Sequence, residues 1–162
     1  MLPAGIEDLR RIRKECRRIA SKRALLSAAG AVVPIPVTNI ATDIVLLKQA
    51  IPLISGKFGL SREQIDAYDP DIAVVIYDVA KKLGPPLIGQ YVTKRLIMGV
   101  LKKFGVRMTT QQIAGFVPLV GQAISVGISF TAMKLILNAH INSCYAVAKG
   151  LVAGKSGGET IT

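Results

Sequence analysis

Residues 5–29 read GIEDLRRIRKECRRIASKRALLSAA, and the spacing of their apolar positions decides the fold class. Leu9, Ile12, Cys16 and Ile19 recur every three or four residues, the period of one face of an α-helix. Around the rest of that cylinder stand Arg10, Arg11, Arg13, Lys14, Arg17, Arg18, Lys22 and Arg23. The stretch therefore predicts a basic amphipathic helix over 5–29. It turns apolar beyond Ala24, and Gly30 with the turn Pro34-Ile35-Pro36 ends it.

Working outward, the same helical chemistry repeats. Thr38 or Asn39 caps a second helix over 39–57, with Asp43 in its first turn, where the helix dipole favours an anion. Pro52 is expected to bend this helix late, and Gly59, after Lys57-Phe58, fits a C-terminal cap. Ser61-Arg62-Glu63-Gln64 fits a capping box that opens a short helix. Asp69-Pro70 opens another, running through Ile72, Val75, Ile76 and Val79 to the break at Gly84-Pro85-Pro86. A helix over about 87–104 follows and ends at Gly105; Thr109-Thr110-Gln111-Gln112 is again capping chemistry, and a last helix runs from about Leu119 to Gly150. No segment alternates apolar and polar residues long enough for a half-exposed strand. The expected fold is all-α: a compact bundle of about six helices with two apolar hairpins, led by Ala29–Ile35 and Ala114–Leu119. Residues 1–153 form one domain, and the Gly- and Ser-rich residues 154–162 a flexible tail.

Composition narrows the function. The 162-residue chain is 51% apolar and carries 21 basic against 10 acidic residues, a net charge of +11, with a mean hydropathy of +0.45. A positive, apolar-rich protein has three natural partners: anionic lipid, nucleic acid or an acidic protein surface. With no Trp and only four Phe and four Tyr, it lacks the stacking platforms of single-strand binders. No helix-turn-helix or zinc-finger spacing is present, so nucleic acid is not expected as a partner. Cys16 and Cys144 are too few and too far apart for a disulfide framework and read as reduced, core-lining thiols of a cytoplasmic protein. The basic N-terminal stretch contains Glu7, Asp8 and Glu15 and runs into prolines, unlike a secretory signal, and Leu2 stands where myristoylation needs Gly.

Ile113 to Met133 carries no formal charge and is long enough to cross a bilayer. Pro118, three glycines, Gln122 and two serines interrupt it. The bland reading is a buried core helix; conditional insertion and a constitutive span are the alternatives.

Candidate chemistry is sparse. Gly154-Lys155-Ser156 ends like a phosphate-binding loop, but Lys149 stands where its first Gly belongs. His140 has only Cys144 at ligand spacing, which is no metal site. Asp66, Asp69, Asp71 and Asp78 cluster near a turn, where capping explains Asp69 and Asp71. No catalytic residues, cofactor or metal site are assigned, and an enzyme is not expected.

At Val33-Pro34-Ile35-Pro36, Asp43-Ile44-Val45-Leu46-Leu47 and Lys57-Phe58-Gly59-Leu60-Ser61 the chain resembles the helical domain that follows the GTPase domain in immunity-related GTPases. It is also similar to the YcjF-like helical family found beside GTPase domains. Phe116-Val117-Pro118-Leu119-Val120-Gly121-Gln122-Ala123 and Ser129-Phe130-Thr131 extend the resemblance to roughly residues 25–140. It implies a membrane-associating helical module that works alongside a GTPase in cell-autonomous defence. This chain shows no P-loop, switch or guanine-reading motif, so nucleotide hydrolysis is not carried over.

The expectation is a non-enzymatic protein, cytoplasmic and peripheral on membranes. Arg10, Arg11, Arg13, Lys14, Arg17, Arg18, Lys22 and Arg23 would engage anionic headgroups. The alternatives are a soluble adaptor or regulator that binds a GTPase or itself, and, less favoured, a pore-forming protein.

Overall fold

The computed structural model describes residues 2–32, 40–83, 87–103 and 130–157. All regular structure among them is helical: α1 (Ile6–Val32), α2 (Ile40–Lys57), α3 (Arg62–Asp66), α4 (Pro70–Leu83), α5 (Lys94–Lys103) and α6 (Phe130–Gly157). The all-α bundle read from the sequence is what forms. Helix α1 runs through Gly30 to Val32, past the end expected at Gly30; the rest of the first Pro/Gly-led turn, the whole of the second, the uncharged segment up to Ser129 and the capping sequence at 109–112 lie outside the described residues.

The long helix α6 is the centre of the bundle. Helices α1, α2 and α4 each pack on it, α1 most extensively; α2 also packs on α1 and α5, and α4 on α3. The apolar stripe of α1 is what makes this possible: Leu9, Cys16, Ala20 and Ala24 are fully buried. Small residues at 16, 20 and 24 let the two helix backbones come close. From α6, Met133, Ile136, Leu137, Ile141, Cys144 and Ala148 enter the same core.

The end of α2 follows directly from its sequence. Leu60 N–H donates to the Ser55 carbonyl at 2.9 Å and Gly59 N–H to the Gly56 carbonyl at 3.1 Å. Gly59 sits at φ +73°. These are the paired bonds of a Schellman ending, which requires a left-handed residue after the helix. Phe58 and Leu60 are thereby turned inward and fully buried. A Cβ at Gly59 would oppose that conformation, so Gly59→Ala is expected to lower stability by about 1 kcal/mol. Urea denaturation would read this as a lower midpoint with an unchanged slope.

Two helix starts also follow their sequence cues. Ser61 and Gln64 close a reciprocal capping box on α3. Asp69 Oδ1 accepts from Asp71 N–H at 3.0 Å at the head of α4, whose first residue is Pro70. Two further boundaries differ from expectation. Residues 87–93 are not helical, and α5 begins only at Lys94. Gly89 is the cause: it adopts φ +69°, and a Cβ there would lie 2.7 Å from Tyr77 Cε1 and 3.1 Å from Ile65. The chain thus passes as a tight non-helical turn beneath Tyr77, and Thr93 restarts the helix by accepting from Leu96 N–H at 3.2 Å. At the other end α6 continues past Gly150 to Gly157, so part of the segment expected to be a tail is helix.

Candidate functional site

The basic residues of α1 fall into two sets once the other helices are in place. Arg10 is paired with Glu7 at 2.7 Å and Arg11 with Asp8 at 2.6 Å, each one turn back along the same helix. Arg13 turns inward: its guanidinium lies 4.6 Å from the Tyr145 ring centroid and donates to Asn142 Oδ1 at 2.8 Å. Arg23 donates to Gln49 Oε1 on α2 at 3.1 Å. These four cations are engaged within the fold.

Lys14, Arg17, Arg18 and Lys22 form the second set. All four are exposed, and none has an ion-pair partner among the described residues. Spacings of three and four residues align them along one side of the helix, away from the buried stripe. Glu15, the one acid inside the basic run, is drawn off to Lys57 of α2 at 2.7 Å. That hydrogen bond and charge hold its carboxyl below the usual carboxylate range. Beyond Lys22 the same side carries Leu25 and Leu26, 59% and 57% exposed. The outer face of α1 is therefore a row of unpaired cations that ends in two uncovered leucines.

Its inner face is committed elsewhere. An interfacial helix of the usual kind sinks its apolar stripe into lipid, but here Leu9, Cys16, Ala20 and Ala24 are buried in the core and Ile12 and Ile19 part-buried. The face of α1 left open for contact is the outer row.

A second cluster was hidden in the sequence. Ser55 Oγ of α2 lies 2.9 Å from His140 Nε2 of α6, and Cys144 Sγ lies 3.6 Å from the same nitrogen and 4.0 Å from Ser55 Oγ. A serine hydrogen-bonded to a histidine is the geometry of an activated nucleophile. Burial argues otherwise. Ser55, His140 and Cys144 are 3%, 1% and 0% exposed. Loss of solvent pushes His140 down to about 4, despite a hydrogen bond to the Ile51 backbone, and pushes Cys144 up to about 12. The imidazole is then a weak base and the thiol un-ionised, so the cluster serves as a polar pin between α2 and α6. Cys16 is likewise buried and raised to about 11, mainly by desolvation. Only the i,i+4 spacing of His140 and Cys144 hinted at this; Ser55 comes from a remote part of the chain.

Ser55 also borders a cleft of about 120 Å³ that Lys48, Arg62 and Tyr91 line. It is small beside ordinary ligand pockets. Arg62 is already held by Asp66 at 2.7 Å and by Tyr77 and Gly89 O at 3.2 and 3.3 Å. Among the described residues no group of three or more His, Cys, Asp or Glu is placed to hold a metal ion. No helix among them is long and apolar enough to cross a membrane.

No protein-family model, curated protein or solved structure matches the chain.

Proposed function

We propose that this chain is a non-enzymatic helical protein that binds anionic membrane surfaces peripherally through the outer face of α1. The observation that carries the reading is the row Lys14, Arg17, Arg18 and Lys22, exposed and without ion-pair partners among the described residues, ending at the exposed Leu25 and Leu26. Each basic side chain held near an anionic bilayer contributes about 1 kcal/mol, so the row contributes about 4 kcal/mol, and the two leucines add shallow apolar contact. A GTPase-linked role in defence rests on the resemblance over residues 25–140 and belongs to the same proposal.

The test is co-sedimentation of the full chain with vesicles of neutral lipid, with and without phosphatidylserine. Binding is expected to phosphatidylserine vesicles at low salt, to weaken as salt rises, and to fall by at least about a thousandfold in the variant Lys14→Glu, Arg17→Glu, Arg18→Glu, Lys22→Glu. Arg13 is a poor position for this test because its substitution also removes the contacts to Tyr145 and Asn142. Absence of binding at low salt, or equal binding to neutral vesicles, would overturn the proposal.

A second reading, self-association in solution, is favoured by a different surface, on α4.

A further inference from the structure

Helix α4 carries an uncovered face of its own. Val74 and Val75 are 59% and 48% exposed, and Asp71 and Asp78 stand exposed one turn before and one turn after them. On a helix these four residues share one side, the aspartates along its middle and a valine on either flank. Neither aspartate has an ion-pair partner among the described residues. The segment is unusual in this basic chain: from Glu63 to Asp78 there are acidic residues and no Lys or Arg.

The chain already holds a surface of matching chemistry. The outer face of α1 presents Arg18 and Lys22 followed by Leu25 and Leu26. Opposed to α4, it would bring cations to an acidic face and leucines to a face that carries valines.

One chain cannot make this contact with itself. Helices α1 and α4 both pack on α6 and have no extensive contact with each other. Their apolar stripes point inward, so their outer faces point away from the bundle. We propose that the α4 face docks the α1 face of a second copy of this chain, head to tail. Such an interface joins two different patches, so each added copy leaves a free α1 face at one end and a free α4 face at the other. A contact of one helix on one helix is smaller than a standard stable interface, so the assembly is weak and depends on concentration. It occupies the surface proposed for membranes, so lipid and the second copy compete for it.

Sedimentation velocity on the full chain, over a concentration series at low and high salt, tests this. The mean sedimentation coefficient is expected to climb with concentration at low salt and return toward the monomer value at about 0.5 M salt. Two variants each keep one face: Asp71→Asn with Asp78→Asn, and Arg18→Gln with Lys22→Gln. Each alone is expected to lose association by about tenfold or more, with unchanged helical circular dichroism. Mixed in equal amounts they rebuild one intact interface and stop at a dimer. A wild type that stays monomeric throughout, variants that associate as the wild type does, or a mixture that forms no dimer would overturn the proposal. The α4 variant keeps its α1 row and frees it from the second copy, so its vesicle binding is expected to be no weaker than the wild type's. That measurement separates failure of self-association from failure of the membrane reading.

Discussion

Acidification from pH 7 to pH 4 is expected to cost the fold about 3 kcal/mol through His140 alone. The ring is buried neutral between α2 and α6, and desolvation holds its pKa at about 4 against an ordinary 6.5. Between those values the unfolded chain binds the proton and the folded chain does not. Protons therefore favour unfolding, and stability falls as pH drops from 6.5 toward 4. Above 6.5 both states are neutral and this contribution does not vary. The paired carboxylate Glu15 works in a separate window: its pKa is lowered from 4.5, so its contribution is present above that value and fades below it. Urea midpoints recorded between pH 7 and pH 4.5 isolate the histidine. His140→Gln keeps polar atoms for Ser55 and the Ile51 backbone but has no proton to titrate, and is expected to flatten the decline. A wild type whose midpoint stays level over that range would refute the assignment.

The largest single loss of stability is expected from Phe58→Ala, at about 3–5 kcal/mol. Phe58 is the bulkiest of the fully buried side chains and has no exposed surface. It occupies the last position before the chain reverses at Gly59, so the ring is fixed on both sides by hydrogen-bonded backbone. Neighbours that are held this firmly relax little into a vacated space, which puts the cost at the upper part of the range for such truncations. Thermal unfolding is expected to show a fall in Tm of about 10 °C. A change below about 1 kcal/mol would mean that the site collapses around the smaller residue.

How far the sequence foretold the structure depends on the range of the interaction concerned. Caps act within four residues, and Ser61 with Gln64, Asp69 with Pro70, and Gly59 after Phe58 were all readable as written. The stripe Leu9, Cys16 was readable for the same reason, since helical periodicity is a local property. The start of α5 was not. Gly89 looked like one more residue in an apolar run, and the reason for its left-handed backbone is the ring of Tyr77, brought over from α4. The basic face divides the same way. That α1 is positive on one side is plain from its spacing. Which cations are engaged was hidden, because Asn142, Tyr145 and Gln49 lie on other helices. The pin of Ser55, His140 and Cys144 is the extreme case: two helices remote in the chain supply one hydrogen-bonded cluster, and the i,i+4 spacing of His140 and Cys144 is its only local sign.

The docking of α1 on α6 has a kinetic consequence. A free basic peptide must order its backbone when it meets a surface, at a cost of about 1–2 kcal/mol per residue. Here that ordering is complete before any encounter, because the buried stripe already fixes the helix. For an acidic surface approached through this face, the arrival rate is then governed by long-range attraction to the row Lys14, Arg17, Arg18 and Lys22, and so by ionic strength. The dwell time is governed by short-range contact at Leu25 and Leu26, which salt scarcely touches. For such a surface, how often it is met and how long it is kept would be set at different ends of one helix face.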